Sequence, residues 1–365
     1  MSFLSIFRRK KNNKTELNEK KLLSQDDVKL DDEVRLDFKE ENIELNKCKK
    51  ITDEKLINYI ISVMPEIKKY IDNKTDKSFT VELPEVKGNF KQAKELSNKD
   101  KLNKANLVLL SSEIASNHIM NELKHSFDEV NYKIHQINSY LSSEYKSKIE
   151  ELSFFLGKII TFKNEMIEDN DRRLETISQV ENHISSGIQL FKQAIIMITE
   201  YVKDIKDNYN KYEKAVYEID EWVSNLQVLY GLIAELCKMD YILYQGSATI
   251  ESCAYDLDKI TPEINDALLG LQNWHIIEQM KLGINLEDGV HKNTGLKTII
   301  KKFLSKQEDH KDIEYSKIPD EILNMINHQM NLSIKSYEIV KDELFQNGIK
   351  LVINNGDIYF NSIIC

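Results

Sequence analysis

Between Ile177 and Cys237, apolar or semi-apolar residues recur at spacings that alternate between three and four. The series runs Ile177, Val180, Ile184, Ile188, Phe191, Ile195, Ile198, Val202, Ile205, Tyr209, Tyr212, Val216, Ile219, Val223, Leu226, Tyr230, Ile233 and Cys237. Only the step from Ile184 to Ile188 breaks the order. This is one face of an α-helix, held for longer than an ordinary globular helix requires. Such a face is stable in water only when other helices cover it. The expected fold is therefore all-α: an elongated antiparallel helical bundle or coiled coil of long helices. One uninterrupted helix of this length does not suit a compact bundle, and Asp207, Asn208 and Asn210 mark the place for a bend.

A second seam precedes it, through Met120, Leu123, Phe127, Val130, Ile134, Ile137 and Leu141. Little between the two seams would break a helix, since no proline occurs between Pro84 and Pro262. The residues expected to form helix seams or an interface are Leu123, Phe127, Val130, Ile134, Ile137, Ile184, Ile188, Phe191, Ile195, Ile198, Val202, Tyr209 and Tyr212. The polar blocks at Ser142–Glu144 and Glu168–Arg173 are the places for turns between antiparallel partners.

Four stretches follow from this pattern. Residues 1–50 are polar, basic and then acidic, and read as a disordered tail. Residues 51–84 carry a short helix capped by Asp53 and a linker, within which Phe79–Leu83 alternates weakly like a strand. Residues 85–260 form the long-helix bundle. Residues 261–365 are a smaller helical segment, with Thr261 as cap and Pro262 at the first helical position. This last stretch ends in two β-prone runs around Asn355-Gly356, the pair favoured in a type I′ turn. A lone two-stranded hairpin is marginal in water, so this one needs the bundle or another strand such as Phe79–Leu83.

The formal net charge of -10 argues against a general nucleic-acid binder, which needs a basic face. The 4 cysteines are far apart and form no C-x-x-C pair, so free thiols and a cytoplasmic location are expected. The richest apolar window, Val223–Tyr244, contains Glu235, Lys238 and Asp240, which disfavours a transmembrane reading. At the N-terminus, Phe3, Leu4, Ile6 and Phe7 stand beside Arg8, Arg9, Lys10 and Lys11. Such a cluster can adsorb to an anionic membrane, each basic residue contributing about 1 kcal/mol. These eight residues are the expected membrane contact, on the inner face.

Motifs for chemistry are weak. Glu122 and His125 have the E-x-x-H spacing of di-iron bundles, but one such motif is insufficient and Leu123 occupies the seam instead. Gly289–Thr298 lacks the consecutive Gly-Lys-Ser/Thr of a phosphate-binding loop. No catalytic residue, cofactor or metal ligand is nominated. The expectation is a non-enzymatic interaction or scaffold protein that self-associates or holds a protein partner through helical surfaces. The alternative is a membrane-active effector that inserts the hairpin containing Leu226–Leu243, provided its charges are paired.

Overall fold

The computed structural model describes residues 30, 33–97, 102–134, 143–203, 209–282, 290–291, 313–314 and 344–362. These residues are mostly helical and carry a small antiparallel sheet. In chain order the elements are β1 (Lys39–Glu40), β2 (Lys49–Lys50), α1 (Glu54–Val63), α2 (Lys68–Asn73), β3 (Phe79–Leu83), α3 (Phe90–Leu96) and α4 (Lys104–Ile134). There follow α5 (Ser143–Thr161), α6 (Lys163–Glu168), α7 (Asn170–Lys203), α8 (Tyr209–Tyr244), α9 (Ile250–Cys253) and α10 (Tyr255–Leu282). The short strands β4 (Val290–His291) and β5 (Ile313–Glu314) pair with each other, and β6 (Ile349–Asn354) and β7 (Asp357–Ser362) form the C-terminal hairpin.

The long seam is split between two helices that run antiparallel. Arg173 donates to the carbonyl of Leu243 at 2.7 Å, and Tyr244 donates to Glu181 at 2.9 Å. Further along, Gly187 lies against Ile233, and the rings of Phe191 and Tyr230 meet edge-on at 6.2 Å. From the Glu181–Tyr244 contact onward, partner numbers rise on α7 as they fall on α8, as in a helical hairpin. Asp169 separates α6 from α7 and caps the latter, accepting from the N–H groups of Asp171 and Arg172. The polar block at 168–173 thus ends one helix and starts the next.

Helix α8 is the centre of the molecule. Every residue from Leu232 to Leu243 is buried, because α4, α7, α9 and α10 all pack on this helix. The apolar phase that fades after Cys237 fades because the whole circumference is covered, so no single stripe remains. Two glycines let neighbours approach closely. A Cβ on Gly187 would lie 2.7 Å from Cγ1 of buried Ile233, and one on Gly231 would lie 2.8 Å from Cγ2 of Val130. Gly187→Ala is therefore expected to lower stability by about 1–3 kcal/mol despite its better helix propensity, as overpacking does. Urea denaturation checks this, and a stabilised variant would show that α7 and α8 can separate freely.

The C-terminal hairpin turns through Asn355 (φ 50°) and Gly356 (φ 86°), both left-handed as a type I′ turn demands. Its β6 strand pairs with β3 along the whole of Phe79–Leu83, from Phe79 opposite Ile353 to Leu83 opposite Ile349. The hairpin thus has the partner strand expected at Phe79–Leu83, and the sheet extends beyond the small hairpin expected. The sheet has five strands in the order β1-β3-β6-β7-β2. Its edge strands β1 and β2 fall inside the stretch read as a disordered tail ending at residue 50. They consist of Lys39-Glu40 and Lys49-Lys50, which show no apolar alternation. Only main-chain pairing to a neighbour makes them strands, and charged residues on short edges also discourage further strand addition.

Asp53 caps α1 as expected, accepting from the N–H groups of Lys55 and Leu56. Its second oxygen accepts from Asn117 at 3.0 Å and ties α1 to α4. Burial raises the Asp53 carboxyl, but these three bonds outweigh it and hold the group below its ordinary value. Thr261 and Pro262 do not start a helix. Helix α10 runs straight through them, and the Thr261 hydroxyl donates back to the carbonyl of Leu257 at 2.8 Å. Thr249 supplies the nearby cap instead, at the start of α9. The expected break at Tyr244–Ser247 is present, with Gln245 and Gly246 both at positive φ.

Candidate docking groove

Helices α4 and α5 form an antiparallel pair whose register two contacts define. The ring of Phe127 lies against Gly157, 3.4 Å from where a Cβ would stand, and Ser153 donates to Asn131 at 3.1 Å. The two helices leave a groove of about 590 Å³ between them. Phe127, Ile134, Gly157 and Ile160 line its apolar floor. Two aromatic rings stand at its margin: Phe154 is 77% exposed and Phe162 is 47% exposed. A glycine inside a helix costs about 1 kcal/mol relative to alanine. Here Gly157 keeps the floor of the groove open beside Phe127.

Charged residues stand at both ends. Lys124 and Lys158 lie near the Thr161–Phe162 end and Glu150 lies level with Ile134, with Asp128 between them. All four are exposed and make no ion pair with a described residue.

Two other polar groupings are present. Lys49 on β2 contacts Nε2 of His118 at 2.6 Å, and the same nitrogen lies 3.1 Å from Glu122. Burial raises the Glu122 carboxyl, but His118 and Lys49 together hold it below its ordinary value. This cluster fastens the edge of the sheet to α4, with the His118 ring edge-on to Phe360. Deeper in, Glu235 and Lys238 on α8 form an ion pair of 2.8 Å whose side chains are 5% and 4% exposed. A polar groove between α5 and α7 contains His183, whose ring stacks on Phe155 at 3.9 Å. Among the described residues no group of three or more His, Cys, Asp or Glu comes together to hold a metal ion.

Of the residues expected to form seams or an interface, Leu123, Phe127, Ile134, Ile184, Phe191 and Ile198 are buried in the chain's own core. Val130, Ile188 and Ile195 are partly buried against it. Val202, Tyr209 and Tyr212 belong to α7 and α8, whereas Ile137 lies outside the described residues. So do the expected membrane contacts Phe3, Leu4, Ile6, Phe7, Arg8, Arg9, Lys10 and Lys11, and most of Gly289–Thr298. Glu122 and His125 point apart, the latter exposed and facing Glu129 at 3.6 Å.

Phe154 and Phe162 are absent from the expected interface. A cue for the first exists in Ser153-Phe154-Phe155-Leu156, because adjacent residues on a helix cannot face the same core. Phe155 packs on His183, which leaves Phe154 outward. No protein-family model matches the chain, and no curated protein or solved structure matches it either.

Proposed function

We propose that this chain is a non-enzymatic interaction protein that self-associates through the exposed face of α4 and α5. The observation that carries the reading is the groove between them, with the Phe154 ring standing in solvent beside an apolar floor. Exposed aromatic residues at the centre of a patch are the usual anchors of protein interfaces. The elongated, scaffold-like body and the membrane contact through Phe3–Lys11 belong to the same reading. Self-association would raise the local number of basic N-terminal clusters, and a single weak membrane anchor binds only marginally.

Sedimentation equilibrium of the full chain tests it. The mass is expected to rise with concentration from monomer to dimer, and Phe154→Ser is expected to weaken association at least tenfold with the helical circular dichroism unchanged. A wild-type chain that stays monomeric at every concentration would refute the reading.

The membrane-active alternative has one observation in its favour. Two of the three charges in Leu226–Leu243 neutralise each other as the Glu235–Lys238 pair. Against it stands the burial of this stretch as the central core helix, which accounts for its apolar character without a bilayer. No helix among the described residues is long and apolar enough to cross a membrane. Leakage of dye from anionic vesicles would favour the alternative.

A further inference from the structure

We infer that His118 is a proton-operated latch on the sheet: when neutral it holds the edge strand β2 in place, and when protonated it lets β2 leave β7. The latch is independent of self-association through α4 and α5. One ring nitrogen faces two partners that need it in opposite states.

Nε2 of His118 stands 2.6 Å from Nζ of Lys49 and 3.1 Å from Oε1 of Glu122. An ammonium group has only hydrogens to offer, so at this distance from Lys49 the nitrogen must present its lone pair. A carboxylate has only lone pairs to offer, so Glu122 favours a hydrogen on the same nitrogen. An imidazole nitrogen carries one or the other. In the neutral ring with its hydrogen on Nδ1, Nε2 accepts from Lys49, whose ammonium also reaches Glu122 at 3.5 Å. In the imidazolium, Nε2 carries a hydrogen that turns to Glu122, and two cations are left side by side. Lys49 is then displaced.

Closing β2 and binding a proton therefore compete for one lone pair, and by linkage each excludes the other. Histidine is the side chain whose ordinary titration falls between pH 5 and 8, and the His118 side chain is 15% exposed, within reach of solvent. Of the other groups nearby, Phe360 of β7 meets the ring edge-on without charge. Asp53, at the start of α1, is engaged by Asn117, and Glu235 of α8, which feels the Glu122 charge, is paired with Lys238. Lys49 and Glu122 decide the state of the ring.

Strand β2 is held by few bonds. Lys49 lies opposite Phe360 and Lys50 opposite Tyr359, and one further main-chain bond runs from the Ile51 N–H to the Ile358 carbonyl. The Lys50–Asp357 pair is nearly half exposed, where an ion pair adds little. So short an edge opens locally at small cost, whereas β3 and β6 pair along the whole of Phe79–Leu83.

Hydrogen exchange of the full chain, read by mass spectrometry and corrected for the intrinsic pH dependence of exchange, tests the latch. Peptides spanning β2 are expected to lose about tenfold in protection between pH 7.5 and pH 5.5, as one competing proton allows, while those spanning β3 and β6 lose none. His118→Gln accepts from Lys49 and donates to Glu122 at any pH, and is expected to keep β2 closed throughout. Lys49→Met leaves no cation for the imidazolium to repel and is expected to abolish the pH dependence as well. Either variant suffices if the other fails to fold. Burial and Glu181 push the Asp240 carboxyl up to about 7, within the same range, but it stabilises the native fold as pH falls and is unchanged in both variants. Equal β2 protection at both pH values overturns the latch. So does a loss that His118→Gln reproduces, or one that β3 and β6 share equally.

Discussion

Replacing Lys238 by methionine is expected to cost about 3–5 kcal/mol, the loss typical when one member of a buried ion pair is removed. The partner, Glu235, is buried in α8, where Lys238 supplies its ion pair at 2.8 Å. Burial already raises this carboxyl above its ordinary value, with the Lys238 charge and hydrogen bond acting in the opposite direction. Without Lys238 the carboxylate must either stay charged in an apolar setting or take up a proton. The defect is accordingly expected to shrink as pH falls toward 5, when protonation becomes cheap. The double variant Glu235→Leu/Lys238→Met removes both charges and is expected to return to within about 1–2 kcal/mol of wild type, or to exceed it. Urea denaturation at pH 7 of the two single variants and the double variant completes the cycle. Additive losses would mean that the pair does not act as a unit.

Asp240 gives the second large effect, and its sign depends on pH. Burial and the neighbouring Glu181 carboxylate push its carboxyl up to about 7, while a hydrogen bond with Cys253 opposes them. In the unfolded chain the same group titrates near 3.9. Between those values the native state holds a proton that the unfolded state releases. The stability this group contributes is therefore fully present below about pH 4, and it declines as pH rises, with the loss complete above pH 7. At about 1.4 kcal/mol per unit the full span approaches 4 kcal/mol. Asp240→Asn keeps the shape but cannot ionise, and it retains an oxygen to accept from Cys253. The stability of Asp240→Asn relative to wild type is expected to grow from pH 4 to about pH 7 and then to level off, read from denaturation midpoints in urea. A difference that stays constant across this range would show that Asp240 is ionised at acidic pH in the native state.

Both groups lie on a helix whose apolar richness was plain in the sequence, but whose surroundings were not. Val223–Tyr244 contains three charges, and their spacing alone cannot say whether they face water, a membrane or one another. Glu235 and Lys238 pair because they are three apart on one helix. That they do so at the centre of the molecule depends on α4, α7, α9 and α10 closing round α8. Similarly, Phe127 and Ile134 were legible as apolar positions on one face of α4. That α5 would bury them and still leave a groove alongside was not.

What the sequence determined by itself is what depends on neighbours within a few positions. The periodic spacing made α4, α7 and α8 helices, Asp53 began α1, the polar block at 168–173 separated two helices, and Asn355-Gly356 turned the hairpin. The strand Phe79–Leu83 was legible too, because a hairpin with one apolar face needs a partner and few other segments alternate. Only the tertiary structure decided what depends on the partner's position. Lys39-Glu40 and Lys49-Lys50 become strands through main-chain bonds to residues up to hundreds of positions away. Pro262 stays inside α10, although its missing N–H withdraws one helical bond, because Ile260, Ile264 and Leu268 are buried on either side of it. The charges of Lys124, Asp128, Glu150 and Lys158 come to line one groove only once α4 and α5 are set in register. Helix and turn formation are governed by local backbone preference, whereas register and burial are settled by packing between segments whose separation along the chain carries no information about their distance in space.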